Sequence, residues 1–208
     1  MRKVDIEGVK NLVFDMGNIL IGFRWKDMLE IDRGLDPERA RAVARAVFRS
    51  RLWEEYDMGD LSPGELKEGY RRTEPGLYED IAWFLDNAEQ MGVDRPGTWE
   101  LVNRLKREKG YRLYVLSNYS ESLYALHAAG AEKAIDFDGR LISYEVHLVK
   151  PDPAIYEALL KKYGLKAEEC VFIDDMSVNT EAAERVGMKS VTVKTEEAVN
   201  ELLNKWLE

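Results

Sequence analysis

The chain has 208 residues, 45% of them hydrophobic, enough for one domain with a proper core or one domain carrying an insertion. Its 30 Lys and Arg against 39 Asp and Glu give a net charge of −9, which argues against a broad nucleic-acid or anionic-membrane surface, so an anionic substrate would need a local positive patch or a metal. The single cysteine, Cys170, excludes an internal disulfide framework and reads as a buried core thiol; the N-terminus MRKVDIEGVK has no apolar signal core and no segment approaches 18 apolar residues, so a cytoplasmic protein that spans no membrane is expected.

The first apolar run, Leu12-Val13-Phe14, ends abruptly at Asp15. Met16, Gly17 and Asn18 follow, and apolar residues return at Ile19, Leu20 and Ile21. A short apolar run closed by a turn signal reads as a buried strand. A carboxylate at its carboxyl end lies where open α/β sheets place their chemistry.

From residue 23 to about residue 90 the pattern is helical, with no strand interrupting it. Asp36-Pro37 offers an N-cap with Pro at the first helical position. Behind it Ala40, Val43, Val47 and Phe48 fall on one face and arginines on the other. Ser62 with Glu65 three residues later forms a second helix start, and residues 78–91 a third helical run. Residues 92–97 read as a hinge-like return. Thr98 is expected to cap a helix running to Lys109-Gly110.

Residues 111–116 form a second apolar strand, ending on Ser117-Asn118. Residues 121–129 read as a helix stopped at Gly130, and residues 135–143 as a short, turn-broken strand region. Lys150-Pro151-Asp152-Pro153 then opens a helix over 154–163. Val171-Phe172-Ile173 is a third apolar strand, ending on Asp174-Asp175. A helix over 180–186, a last strand over 190–193 and a last helix over 196–207 complete the chain. Strands alternating with helices predict a parallel sheet covered on both faces.

In such a sheet the carboxyl edges lie together, so Asp15, Ser117-Asn118, Asp174-Asp175 and Lys150 converge. Three carboxylates that close would raise one another's pKa values. They are tolerable around a hard divalent cation, and Mg²⁺ prefers carboxylates plus a substrate phosphate. Asp15, Asp174 and Asp175 give −3 and Lys150 gives +1, so the site stands at −2 and would reject a phosphate dianion without the metal. Asp is a known covalent nucleophile in phosphoryl transfer. Asp15 is the candidate, Ser117 and Asn118 are neutral donors for phosphoryl oxygens, and Lys150 is the fixed positive charge.

In this combination the chain resembles the haloacid dehalogenase-like hydrolase superfamily: Asp15 in FDMGNIL, Ser117 in VLSN, Lys150 in VKPDP, and Asp174-Asp175 in VFIDDMSVN. The resemblance covers the whole chain. Residues 1–22 and 92–208 are similar to the family's Rossmann-like catalytic core, and residues 23–91 to its inserted helical cap. It implies a three-layer α/β/α architecture, Mg²⁺ as cofactor, a small phosphorylated substrate and hydrolysis through a phospho-aspartate. It also implies that Asp15, Asp175 and the Gly17 carbonyl hold the metal directly, that Asp174 acts mostly through a metal-bound water, and that Gly17, Asn18 and Asn118 bind substrate. Asn179 matches a supporting polar position in the last motif.

Most family phosphatases carry a second Asp two residues after the nucleophile, where it protonates the leaving group. Here that residue is Gly17. The FDxGN form resembles the α-D-glucose-1-phosphatase-like branch, which lacks that Asp and still hydrolyses phosphates, favouring a sugar phosphate. A good leaving group, a metal-bound or ordered water, or another side chain would each replace the acid, with His147, three residues before Lys150, and Asp57 and Asp60 of the helical insertion as candidates. Arg24, Trp25, Trp53 and Tyr56 are candidate substrate contacts there. Two alternatives stand beside this reading: a metal-independent 2-haloacid dehalogenase, which has no reason to keep Asp174-Asp175, and a non-catalytic binding or regulatory protein. A phosphonate hydrolase would need a Schiff-base lysine, with only Lys26 and Lys67 available in the insertion.

Overall fold

The computed structural model describes residues 6–208. Seven strands occur in it: β1 (Asn11–Phe14), β2 (Ile21–Phe23), β3 (Gly92–Asp94), β4 (Arg112–Ser117), β5 (Gly139–Ile142), β6 (Cys170–Asp174) and β7 (Lys189–Thr192). Five of them form one parallel sheet in the order β5-β4-β1-β6-β7. β1 lies at its centre, paired with β4 and with β6, and every one of its residues is buried. That explains why Leu12-Val13-Phe14 is a continuous apolar run instead of an alternating one.

Alternate strand residues feed two separate cores. Leu12, Phe14, Leu113, Val115, Val171 and Ile173 belong to one. Val13, Tyr114, Leu116, Cys170 and Phe172 belong to the other. Helices Pro96–Lys109 and Glu196–Leu207 cover the first face; helices Pro153–Tyr163 and Ser177–Arg185 cover the second. The result is the expected three-layer α/β/α arrangement with a parallel sheet. Cys170 is the buried thiol the sequence suggests. No helix among the described residues is long and apolar enough to cross a membrane.

The chain winds outward from β1 through β4 and β5, then crosses to the other side for β6 and β7. The order therefore reverses at β1. In open α/β sheets ligands bind in the crevice outside the carboxyl ends of the strands at such a point. The register sets those ends side by side, since Phe14 pairs with both Val115 and Ile173.

Between β2 and β3 the chain is helical, with helices Pro37–Phe48, Arg51–Asp57, Pro63–Thr73 and Tyr78–Asp86. The start signals act as expected. The Asp36 carboxylate accepts from the Glu38 and Arg39 amides, and Ser62 and Glu65 form a reciprocal capping box. Phe48 sits at the centre of the bundle, with Trp25, Trp53 and Phe84 edge-on to it. Asp80 is buried between Arg33 (3.0 Å) and Arg39 (2.6 Å).

Several local expectations change. β3 pairs antiparallel with β2 in a two-stranded ribbon, so the return at residues 92–97 is partly a strand. Thr98 lies inside its helix, which begins at Pro96, and its hydroxyl donates to Asn200 instead of capping. Gly130 does not end a helix. It lies in helix Ala129–Ala134, where a Cβ would come within 2.9 Å of the Asp94 carboxylate and the Trp99 ring. The helix after β6 begins at Ser177, three residues earlier than its pattern suggests.

Leu12, fully buried in the central strand, tests this arrangement. Leu12→Ala should lower unfolding stability by about 2–5 kcal/mol in urea titrations, moving the midpoint with little change in slope.

Candidate active site

Asp15 follows β1 directly, and its amide donates to the Ile173 carbonyl of β6. The turn behind it is held from outside. Asn18 takes a positive φ of 57°, tolerable for Asn because its short polar side chain can bond locally. Its Nδ2 donates to Asp175 Oδ2 at 3.0 Å. Arg95 donates to the Asn18 and Ile19 carbonyls at 2.5 and 3.2 Å, and Trp99 Nε1 to the Leu20 carbonyl at 2.6 Å.

Three donors converge on one Asp15 oxygen, Oδ1: the Met16 amide at 2.8 Å, Ser117 Oγ at 2.6 Å and Lys150 Nζ at 2.8 Å. The buried Lys150 ammonium also donates to Asp174 Oδ2 at 2.7 Å. Asp174, with no exposure, further accepts from the Met176 amide at 2.8 Å and from Asn179 Nδ2 at 3.1 Å on each oxygen. Asn118 clamps the loop that carries Lys150: its Oδ1 accepts from the Lys150 amide at 2.8 Å and its Nδ2 donates to the Lys150 carbonyl at 3.0 Å. Both ends of that side chain are thus engaged with the Lys150 backbone.

Burial pushes the Asp15 carboxyl up to about 7; Lys150 pulls it down and the Asp174 charge adds to the rise. Burial alone would lower the Lys150 pKa, but the two carboxylates outweigh it and hold the ammonium above its ordinary value. Asp175 is raised by burial and by Asp174, against the Asn18 hydrogen bond. Asp15, Asp174 and Asp175 each bring a carboxylate oxygen within 4.8 Å of the others. An all-oxygen donor set of three carboxylates, its charge of −3 reduced to −2 by Lys150, fits a hard divalent cation. Asp15 and Asp175 are the freer members of the set, because Asp174 is already bonded at both oxygens.

These residues line a cleft of about 1390 Å³ between the sheet edge and the helical segment. Asp15, Gly17, Asn18, Ser117, Asn118, Lys150 and Asp175 all border it. On its far side stand Trp25, Phe48 and Trp53, with Arg41, Arg45 and Arg49 spaced one turn apart. Of the expected insertion contacts, Trp25 and Trp53 line the cleft. Arg24 is instead paired with Asp32 at 2.7 Å, and the buried Tyr56 bonds Ser122 Oγ at 2.7 Å. Lys26 and Lys67 pair with Glu30 and Asp86, away from the cleft.

The sequence does not single out Arg95, Trp99 or His127. His127 is buried and lies between the Tyr119 hydroxyl (3.1 Å) and the Ala88 carbonyl (2.8 Å), and burial lowers its pKa. No local pattern marks these three residues, because each bonds a partner far away in the chain.

A family profile of haloacid dehalogenase-like hydrolases matches residues 9–187. The chain is 27% identical over 199 residues to the drimenol cyclase drtB of Aspergillus calidoustus, covering 94% of this chain and 36% of that protein. It is 29% identical over 182 residues to the sesquiterpene phosphatase astK of Aspergillus oryzae, covering 86% and 87%. The chain thus spans about a third of the first relative and most of the second. Among solved structures, a haloacid dehalogenase family enzyme of Bacteroides thetaiotaomicron in complex with magnesium and inorganic phosphate superposes with a TM-score of 0.69 at 22% identity, over 90% of this chain and 95% of that one. The L-2-haloacid dehalogenase RSc1362 superposes with a TM-score of 0.69 at 17% identity, over 96% and 99%. At these identities the two structures attest the fold.

Lys150 offsets two buried carboxylates, so Lys150→Met should cost about 3–5 kcal/mol in urea titrations of the metal-free protein near pH 8. The loss should shrink toward pH 5. Burial already raises the Asp15 pKa to about 7 with Lys150 pulling it down; without Lys150 it rises further, so the variant keeps the Asp15 proton where the parent has lost it and its stability deficit grows as pH rises through about 7. A loss independent of pH would contradict the assignment.

Proposed function

The chain belongs to the haloacid dehalogenase-like hydrolase family, and we propose that its reaction is the Mg²⁺-dependent hydrolysis of a small phosphate monoester, in a cytoplasmic setting, through a phospho-aspartate on Asp15. The observation that carries this reading is the acidic cluster at the switch point. Asp174 and Asp175 stand with Asp15 around a single buried lysine, an excess of negative charge that an anionic substrate tolerates only with a cation beside it. Asp15, Asp175 and the Gly17 carbonyl would hold Mg²⁺, with Asp174 behind them. The bound ion would bring the site from −2 to about neutral, so that a phosphate dianion is accepted.

This chain's own residues position the reaction. Ser117, Lys150 and the Met16 amide all bond Asp15 Oδ1, which fixes the carboxylate and leaves Oδ2 without those bonds as the attacking oxygen. Attack forms an O–P bond to Asp15 and breaks the ester bond. Water then attacks the phosphorus of the aspartyl-phosphate, releasing inorganic phosphate and restoring the carboxylate. Lys150 balances charge on the phosphoryl oxygens throughout. Because the Asn118 side chain is taken up by the Lys150 backbone, its contribution is to position Lys150, and any donor it gives the phosphoryl group is its backbone N–H. Asn18 likewise acts by orienting Asp175.

Residues 23–91 act as a cap that closes the cleft over the core, assigned to residues 1–22 and 92–208, of which residues 1–5 lie outside the described structure. Its aromatic wall and arginine row suit a substrate with a flat or apolar body, and a sugar phosphate, whose ring stacks on an aromatic face, is one such class. The sesquiterpene phosphatase is similar over most of both chains, which supports phosphate release as the activity. Shared architecture with a dehalogenase keeps one second reading, metal-independent dehalogenation, in view.

Phosphate release from a panel of phosphorylated metabolites, with Mg²⁺ and with EDTA, separates these readings. Release should require Mg²⁺ and fall by roughly 10³-fold or more in Asp15→Asn. Titration calorimetry should find vanadate binding only when Mg²⁺ is present. Chloride release from a 2-haloacid in EDTA would instead make the protein a dehalogenase, and inertness toward both classes would mark a non-catalytic member of the fold.

A further inference from the structure

The position two residues beyond Asp15 carries no acid, and the space a side chain there would take is filled by Phe23. A Cβ on Gly17 would lie 2.5 Å from Phe23 Cε2 and 2.8 Å from Cζ, closer than carbon atoms approach. The Phe23 ring, which borders the cleft, packs edge-on against Tyr119 and His127. The proton for a leaving oxygen must come from elsewhere around the cleft.

Besides Asp15 and Asp175, three carboxylates border the cleft: Glu54, Asp57 and Asp152. Asp152 is exposed and bonds the Ala154 amide as the N-cap of its helix. Glu54 is exposed one turn before the end of its helix. Asp60 does not border the cleft and pairs with His147 Nδ1 at 2.8 Å, both residues being exposed. Asp57 differs from all of these. It is partly buried, is the last residue of helix Arg51–Asp57, and faces the same space as Asp15, Gly17 and Lys150.

That end of the helix is fastened to the rest of the protein at three points. The Asp57 carbonyl accepts from Ser143 Oγ at 2.5 Å, and the same hydroxyl oxygen accepts from the Tyr119 amide at 2.8 Å. The preceding Tyr56 hydroxyl bonds Ser122, and the following Asp60 meets His147. A side chain carried on the helical insertion is thereby held in a fixed place at the sheet edge.

From this placement we infer that Asp57 is the general acid of the reaction, supplying from the insertion the proton that Gly17 cannot. The inference rests on the phosphatase reading above. As the ester O–P bond breaks, the Asp57 carboxyl transfers its proton to the departing oxygen, which leaves as an alcohol. The resulting carboxylate then takes a proton from the water that attacks the aspartyl-phosphate, so phosphate leaves and Asp57 is protonated again. Its surroundings suit the first step. Burial pushes the Asp57 pKa up to about 8, and the Asp15 charge adds to this, while the Ser120 amide and Lys150 oppose it. With the proton supplied this way, the leaving group need not be an anomeric or acyl phosphate.

The test compares two leaving groups in the same variant. Asp57→Asn and Asp57→Glu are assayed with glycerol phosphate, whose alkoxide needs a proton, and with p-nitrophenyl phosphate, whose phenolate needs it far less. In Asp57→Asn the glycerol phosphate rate should fall by roughly 10²–10⁴-fold, and its ratio to the p-nitrophenyl phosphate rate should fall by at least about tenfold. The alkaline limb of the wild-type pH profile should be lost with it, and Asp57→Glu should restore part of the ratio. Misfolding would depress both rates together and leave the ratio alone. Equal losses on the two substrates, with the pH profile unchanged and the urea midpoint of the variant equal to that of the parent, would overturn the assignment of Asp57 while leaving the phosphatase reading intact. A wild-type protein that releases phosphate from neither substrate would overturn both.

Discussion

The Lys150 ammonium lies buried between two carboxylates, 2.8 Å from Asp15 and 2.7 Å from Asp174, and the carboxyl edge of the sheet is built around that contact. β1 and β6 are neighbours, so Asp15 and Asp174 are brought together by the register alone. Two ionised groups in a space that excludes water repel strongly unless a cation is placed between them. Lys150 is that cation, but it sits on a loop, not on a strand. Asn118 at the end of β4 solves the placement by gripping both the amide and the carbonyl of Lys150. Asn179 and the Met176 amide fix Asp174 from the other side. Four separated segments are therefore locked into one hydrogen-bonded unit whose free capacity points toward the cleft.

The same economy links the nucleophile to the helical segment. The turn from Asp15 to Leu20 offers three carbonyls in succession, and Arg95 and Trp99 take all three. Both donors lie just after β3, which pairs with β2 at the base of the insertion. Arg95 also meets Glu196 at 3.3 Å, at the start of the last helix. The turn that shapes the site, the ribbon that carries the insertion and the helix layer beneath thus share one set of contacts. Any shift of the insertion relative to the core would be felt first at these hydrogen bonds.

Much of this was legible in the sequence for a definite physical reason. β1, β4 and β6 are buried on both faces, so they appear as apolar runs with sharp polar ends. Those ends are the site: Asp15, Ser117-Asn118 and Asp174-Asp175 needed only the parallel topology to bring them together. Helix starts such as Asp36 and Ser62 carry their signal within four residues. What escaped depends on distant partners. Arg95 and Trp99 bond residues 77 and 79 positions away, and no local pattern encodes that. β2 and β3 are three residues long each, too short for a period. Thr98 and Gly130 looked like boundary markers, and both are taken up by packing between helices. Asn118 was legible as a polar site residue, but not its use as a clamp on Lys150, since an amide reads the same from either direction.

The pair Gly17 and Phe23 shows how one local exchange redistributes chemistry over the molecule. A glycine beside the nucleophile leaves room, and the Phe23 ring takes that room while packing against Tyr119 and His127. The core gains aromatic contact area and gives up a proton donor. Where the donor is instead Asp57, attack and protonation come from different elements: Asp15 follows β1, and Asp57 ends a helix of the insertion that Ser122, Ser143 and His147 tie down. A substrate too bulky to enter the space that Asp15 and Asp57 both border would not meet the two groups at once. Discrimination between substrates then acts on the rate of bond cleavage as well as on binding, because only a well-enclosed ester has both groups in place at once. The aromatic wall and the arginine row that border the same cleft are positioned to decide which esters are enclosed.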